Sequence, residues 1–155
     1  MTKVKILAMD VDGTMTDGSI NFSSSGELFK TFDVKDGLGI KKAKSFGIHI
    51  CIITGRISDI VAYRSKELQI DELFQGVDDK VAVLKTLADK YDCLPDEIAY
   101  IGDDDNDIGA LKYAGISFCP SDASDSVKSI SIVLNSKGGH GAIRECVEHI
   151  LADYV

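Results

Sequence analysis

Two short apolar runs that each end in aspartates constrain this chain more than any other feature. Val4 to Met9 leads into Asp10-Val-Asp-Gly-Thr14, and Ile98 to Ile101 leads into Gly102-Asp-Asp-Asp-Asn-Asp107. Apolar runs of this length, bounded by turn residues, read as strands buried on both faces, as in parallel sheets. Similar runs at Ile48–Ile53, Glu72–Phe74, Gly115–Cys119 and Ser131–Leu134 alternate with helical patterns at about 37–46, 57–68, 79–91, 106–113 and 140–153. The pattern at 79–91 puts Val81, Leu84, Leu87, Ala88 and Tyr91 on one face, and Asp79 can cap its start. Such alternation predicts an α/β fold, a parallel sheet flanked by helices on both faces with right-handed crossovers. Aspartates at the C-terminal ends of core strands then stand where open α/β sheets place their ligands.

One segment departs from the alternation. Residues 18–34 read as two extended pieces, Ser19–Phe22 and Leu28–Val34, around Ser23-Ser-Ser-Gly26, which predicts a β-hairpin inserted just after the first acidic motif. Phe22, Phe29 and Phe32 give it more apolar surface than a free hairpin should show. The hairpin is then either a surface feature without function or a dimer or oligomer contact bordering the site, and its apolar surface favours the second. Otherwise the chain reads as one domain over residues 1–155, without repeats or a linker.

Composition narrows the partners. With 17 basic against 25 acidic residues the net charge is −8, and no basic block offers a surface to nucleic acid or anionic membrane. No apolar stretch approaches the roughly 20 residues of a membrane span, and no signal-peptide core precedes the first strand. The four cysteines, Cys51, Cys93, Cys119 and Cys146, are far apart and form no C-x-x-C pair. They read as reduced residues of a cytoplasmic protein.

Crowded carboxylates repel one another unless a cation sits among them, and hard oxygen donors favour Mg2+. Asp10, Asp103 and a main-chain carbonyl at Asp12 are the expected ligands. Asp10 is the candidate nucleophile, able to attack phosphorus and form an aspartyl-phosphate. Asp12 lies on the same side of an extended chain. It can protonate a leaving alkoxide and then deprotonate water. Gly13 allows the chain to turn sharply away from the strand, and backbone N–H groups there can bind phosphate oxygens. Thr54 ends another apolar run and can donate its hydroxyl and backbone N–H to phosphate. Gly55 follows it and opens towards a helix starting near Ile57, whose N-terminus favours an anion. Lys80 can reach both phosphate and Asp10. Asp107 would orient Lys80 or a water near the cation; Asp104 could do either and ranks below Asp103.

Each piece alone has an ordinary explanation: a solvated turn, a helix cap, a surface lysine, a strand-ending turn. A calcium EF-hand is excluded for the second motif, because Ile108 stands where Gly is needed and Ala114 where a bidentate Glu is needed. The pieces together, all on one rim of one sheet, carry the argument.

Together they resemble the four motifs of the haloacid dehalogenase superfamily of phosphotransferases, over the whole chain. The resemblance implies a Rossmann-like sheet, Asp10 as nucleophile, Asp12 as acid/base, and Mg2+ held by Asp10, Asp12 through its main chain, and Asp103. The second aspartate of the first motif favours phosphatases over dehalogenases. Thr14 to Asp36 leaves room only for the hairpin, and Gly55 to Asp79 only for a helix and a short strand, so no cap domain is expected.

Phe32-Asp-Val-Lys-Asp-Gly-Leu-Gly39, Ile52-Ile-Thr-Gly-Arg56, Leu73-Phe-Gln-Gly76 and Gly138-Gly-His-Gly-Ala-Ile-Arg-Glu145 resemble a capless branch, the phosphatases of 3-deoxy-2-ulosonic acid phosphates. Among these the pattern is most similar to the 3-deoxy-D-manno-octulosonate 8-phosphate phosphatases, which would place the chain in lipopolysaccharide precursor synthesis. That likeness implies homotetramers whose hairpins form a central barrel and whose neighbouring subunits complete each site. Arg56 and Arg64 could then bind the sugar carboxylate. One departure stands out: His140 replaces the arginine usual in the late Gly-Gly-Arg-Gly. A sister branch acts on KDN 9-phosphate or N-acylneuraminate 9-phosphate and tends to carry Glu and Lys where this chain has Arg56 and Glu67, which favours the octulosonate reading. The remaining alternatives are a phosphatase of macromolecular substrates, which an open site would suit, and a non-catalytic regulatory module.

Overall fold

The computed structural model describes residues 3–152. Its centre is a six-stranded parallel sheet in the order β5-β4-β1-β6-β7-β8. The strands are β1 (Ile6–Met9), β4 (His49–Ile53), β5 (Glu72–Phe74), β6 (Ile98–Ile101), β7 (Ile116–Cys119) and β8 (Ile132–Val133). Between and after them run α1 (Val34–Ser45), α2 (Asp59–Glu67), α3 (Lys80–Lys90), α4 (Ile108–Tyr113), α5 (Asp125–Lys128) and α6 (Ala142–Ala152). Among the described residues no helix is long and apolar enough to cross a membrane.

The alternation of side chains along β1 explains the layers. All four residues of β1 are buried, with Leu7 and Met9 facing one side and Ile6 and Ala8 the other. Leu7 and Met9 join a cluster with Ile40 and Ala43 of α1, Val61 of α2, and Ile143, Val147 and Ile150 of α6. Ile6 and Ala8 join Leu84 and Leu87 of α3 and Ala110 and Leu111 of α4. Each aliphatic side chain fully buried this way contributes about 1.5–3 kcal/mol. A sheet covered on both faces is therefore what these sequences fold into, and among the described residues no cap domain is evident.

Register sets the functional rim. Met9 pairs with Ile52 of β4 and with Ile101 of β6, so the three central strands end level. Asp10, Thr54 and Gly102 leave the sheet together. The chain winds from β1 outward through β4 and β5 and then crosses to β6, so these residues emerge where the winding reverses.

The hairpin is a two-stranded antiparallel sheet of β2 (Asn21–Ser23) and β3 (Gly26–Phe29). Its second arm is shorter than the expected Leu28–Val34. The Asp33 carboxylate accepts the Lys35 N–H at 2.7 Å, which caps α1 and turns Val34 helical. Asp79 caps α3 as expected, accepting from the Ala82 N–H at 3.0 Å. The helix expected at 106–113 opens with a 3-10 turn over Asp105–Asp107. The four-residue α5 was not foreseen, being too short to show periodicity. Residue 153, the expected end of the last helix, lies outside the described residues.

Candidate active site

Beyond β1 the chain folds into a tight turn in which the Val11 carbonyl accepts the N–H groups of Thr14, Met15 and Thr16. Gly13 sits at φ +85°, and a Cβ there would lie 2.0 Å from Asp103 Oδ2. Only glycine lets the two acidic motifs meet. The Thr14 hydroxyl donates to Asp103 Oδ1 at 2.9 Å and fixes that carboxylate. Gly102 does the same for Asp107, since a Cβ would fall 2.4 Å from its Cγ.

Asp10, Asp103 and Asp107 each present a carboxylate oxygen within 4.8 Å of the others. Burial first, then repulsion from Asp107, pushes the Asp10 carboxyl up to about 6. Asp103 is pushed up to about 8 by burial and by Asp10. Such crowding is what a divalent cation relieves. The donors are hard oxygens without nitrogen or sulfur, so the set fits Mg2+.

Lys80, at the first turn of α3, partly answers this charge. Its buried Nζ donates to Asp10 Oδ1 at 2.9 Å and to Asp107 Oδ1 at 2.7 Å. Burial alone would lower its pKa, but the two carboxylates outweigh that and raise it, so the ammonium stays charged. Asp107 is the most heavily bonded member. Its Oδ1 also accepts the Tyr100 hydroxyl at 2.6 Å, and its Oδ2 accepts the N–H groups of Asp103 at 3.0 Å and Asp104 at 3.3 Å.

A cleft of about 200 Å³ opens over this cluster, lined by Asp10, Asp12, Thr54, Gly55, Arg56, Asp103, Asp104 and Asn106. The Asp12 side chain stands outside the carboxylate triad. Lys30 Nζ donates to its Oδ1 at 2.6 Å, and Arg56 Nε lies 3.9 Å from its Oδ2. Thr54 is buried and held in the sheet by its N–H to the Phe74 carbonyl at 2.9 Å.

Two sequence expectations are placed differently. Helix α2 starts at Asp59 rather than near Ile57, and Ser58 Oγ already accepts the Val61 N–H, so Gly55–Ile57 is loop and the helix end is capped. Arg64 does not line the acidic cleft. Its Nη1 donates to Glu67 at 2.8 Å and its guanidinium stacks 5.4 Å from the centre of the Phe32 ring. It belongs to two wider recesses, of about 320 and 350 Å³, beside α1 and α2. Asp10 and Asp103, two of the three clustered carboxylates, line the smaller cleft instead.

Three features were not foreseen from the sequence. Lys30 and Tyr100 carry no local signal, one leaving a hairpin arm and the other inside an apolar run. The Gly138–Gly139 turn braces the first motif: the Gly139 N–H donates to the Thr14 carbonyl at 3.1 Å, and a Cβ on Gly138 would fall 1.9 Å from the Gly13 oxygen. His140 beside it is exposed and does not line the cleft.

Residues 57–141 match the model of the haloacid dehalogenase-like hydrolase family. The chain is 38% identical over 149 residues to the 3-deoxy-D-manno-octulosonate 8-phosphate phosphatase of Yersinia pestis, covering 96% of this chain and 80% of that enzyme. The chain belongs to the haloacid dehalogenase-like hydrolases. Within that family it is a phosphatase, and among the described residues it shows no cap domain. The cobalt-bound deoxy-D-mannose-octulosonate 8-phosphate phosphatase of Haemophilus influenzae superposes with a TM-score of 0.94 at 37% identity, over 97% of this chain and 88% of that one. The Moraxella catarrhalis 3-deoxy-D-manno-octulosonate 8-phosphate phosphatase, in complex with magnesium ion, phosphate ion and a KDO molecule, gives 0.93 at 41% identity, over 96% and 86%. Metal-bound relatives of this kind agree with the haloacid dehalogenase-like arrangement of acids on the rim.

Proposed function

We propose that this phosphatase hydrolyses 3-deoxy-D-manno-octulosonate 8-phosphate in a Mg2+-dependent reaction through an aspartyl-phosphate on Asp10. The observation that carries the reading is Lys80 joined to both Asp10 and Asp107 beside Asp103 on one rim. The names of the relatives supply the substrate. Asp10, Asp103 and the main chain of Asp12 would hold Mg2+, which supplies positive charge that lets an anionic nucleophile meet an anionic ester.

The residues then divide the work. The Asp10 carboxylate attacks phosphorus, and the bond from phosphorus to the sugar oxygen breaks. Asp12 gives its proton to the departing alkoxide. Asp12 next takes a proton from water, whose oxygen attacks the phosphorus of the aspartyl-phosphate, releasing phosphate and restoring Asp10. The Thr54 hydroxyl and the Lys80 ammonium stabilise the phosphoryl oxygens in flight, and Asp107 keeps Lys80 aimed. Gly13 and Gly55 keep the phosphate subsite free of side chains. Arg56, at the mouth of the cleft, would take the sugar carboxylate. Arg64 would act on a neighbouring copy's substrate in a homotetramer joined through the hairpins. The four free cysteines agree with a cytoplasmic setting.

His140, in place of the usual arginine, removes one contact expected of the octulosonate branch, and the alternative substrate is a nine-carbon sugar acid 9-phosphate. Parallel kcat/KM measurements with Mg2+ on octulosonate 8-phosphate, KDN 9-phosphate and N-acetylneuraminate 9-phosphate separate the two. The octulosonate ester should exceed the others by at least about tenfold, a difference of ~1.4 kcal/mol in transition-state binding. Preference for a nine-carbon ester would move the assignment to the second reading. Equal, low values on all three would remove both.

A further inference from the structure

The cluster around Lys30 lies outside the triad and has no role in the chemistry so far. Lys30 follows β3 directly, yet its side chain is only 1% exposed. Its Nζ donates to Asp12 Oδ1 at 2.6 Å and lies 3.0 Å from Glu27 Oε1. The other Glu27 oxygen accepts the Ser58 hydroxyl. Ser58 in turn caps α2 through the Val61 N–H and anchors its own N–H on Gln75 Oε1 at 2.8 Å. A continuous polar chain therefore runs from Asp12 through the hairpin to the start of α2.

This geometry is selective. Holding a lysine in one buried conformation costs about 2 kcal/mol of side-chain entropy, and a charge-assisted hydrogen bond to Asp12 with an ion pair to Glu27 offsets that cost. The Glu27 to Ser58 link already fastens the hairpin to α2, so the reach from Lys30 to Asp12 adds something else. The other cation near Asp12, the Arg56 Nε at 3.9 Å, lies too far away to set the orientation of its carboxylate. Lys30 is not among the residues lining the acidic cleft; it borders the recess beside α2.

We infer that Lys30 is the positioning residue that aims the Asp12 carboxylate, so that the hairpin is a working part of the site as well as a surface for association. The inference rests on the reading of Asp12 as general acid and deepens it. Lys30 touches neither phosphate nor leaving group; it fixes the group that does.

An alkyl ester needs its leaving oxygen protonated, whereas p-nitrophenolate departs without a proton. The kcat/KM value reports the steps up to departure of the leaving group. Lys30→Met should lower kcat/KM on an alkyl phosphate by about 10–100-fold, a part of the 10²–10⁴ that positioned acids contribute. On p-nitrophenyl phosphate the same variant should lose less than about threefold, since general acid catalysis adds little there. Lys30→Arg should fall between Lys30→Met and the wild type on the alkyl ester, and it carries the same comparison should Lys30→Met fail to fold. Equal losses on both esters, or no loss on either, would overturn the assignment. Asp12→Asn measured alongside separates the two layers. A selective alkyl loss there without one in the Lys30 variants defeats the Lys30 role alone. No selectivity in Asp12→Asn defeats the general-acid reading and the Lys30 role with it.

Discussion

The acidic cleft and the face formed by the hairpin, α1 and α2 are finished to different degrees. In the cleft, the buried polar side chains of Asp10, Thr14, Lys80, Tyr100 and Asp107 are all tied to partners within the chain. Among the described residues, Asp36 Oδ2 on α1 and Arg64 Nε and Ser65 Oγ on α2 are buried without a hydrogen-bond partner. Phe22 and Phe29 of the hairpin, Val34 and Leu38 of α1 and Tyr63 of α2 stand exposed. Buried groups left unpaired are costly, and apolar surface is normally covered. On the proposed reading the groups for phosphoryl transfer lie within one chain, whereas the apolar side chains of the hairpin, α1 and α2 stand exposed. In the assembly proposed above, a second copy would cover the exposed aromatic side chains of the hairpin.

The comparison can be broken at its open side first. Replacing Phe22 and Phe29 together with serine should reduce the assembly seen by light scattering and lower kcat/KM on the sugar acid phosphate by about tenfold or more, the range expected when buried aromatic anchors are lost. Activity on p-nitrophenyl phosphate should persist, because the cleft needs one chain only. An unchanged assembly in that variant would remove the hairpin from the interface.

A smaller effect sharpens the picture on α1. Asp36 accepts the Arg144 N–H of α6 at 2.9 Å through one oxygen and leaves the other bare. Burial pushes its carboxyl up to about 6, against the pull of the Arg144 N–H, while Asp33 adds repulsion and Arg64 attraction. The native protein therefore holds this proton more tightly than the unfolded chain. The resulting stability is full below about pH 4 and is lost as pH rises through 6. Asp36→Asn keeps one acceptor and removes the charge, so its stability relative to wild type should rise by roughly 1–1.5 kcal/mol between pH 5 and pH 8. Urea unfolding at the two pH values measures this, and a constant difference would show that Asp36 is not held as described.

Much of this was legible in the sequence because strand ends carry chemistry in α/β sheets. The apolar runs placed Asp10, Thr54 and Asp103 on one rim, and the register of β1 with β4 and β6 brings them level. Lys80 was found because the capped, periodic helix put it in the first turn. What stayed hidden depends on long-range packing. The Gly138–Gly139 turn reads as an ordinary loop until its backbone is seen against the Gly13 oxygen. Lys30 reads as a surface lysine until the hairpin folds back over Asp12. Arg64 lay on the right helix, but its side chain turned towards Phe32 and Glu67, a direction that helical position alone does not fix.

The central claim is that Asp10 is the nucleophile of a Mg2+-dependent phosphatase. Asp10→Asn should retain the wild-type circular dichroism spectrum, because Lys80 keeps its bond to Asp107 and Asn Oδ1 can still accept from it. Steady-state release of phosphate from p-nitrophenyl phosphate with Mg2+ should fall to the limit of detection, at least about 10³-fold, the scale of losing a covalent nucleophile. Turnover within a fewfold of wild type in that folded variant would contradict the account.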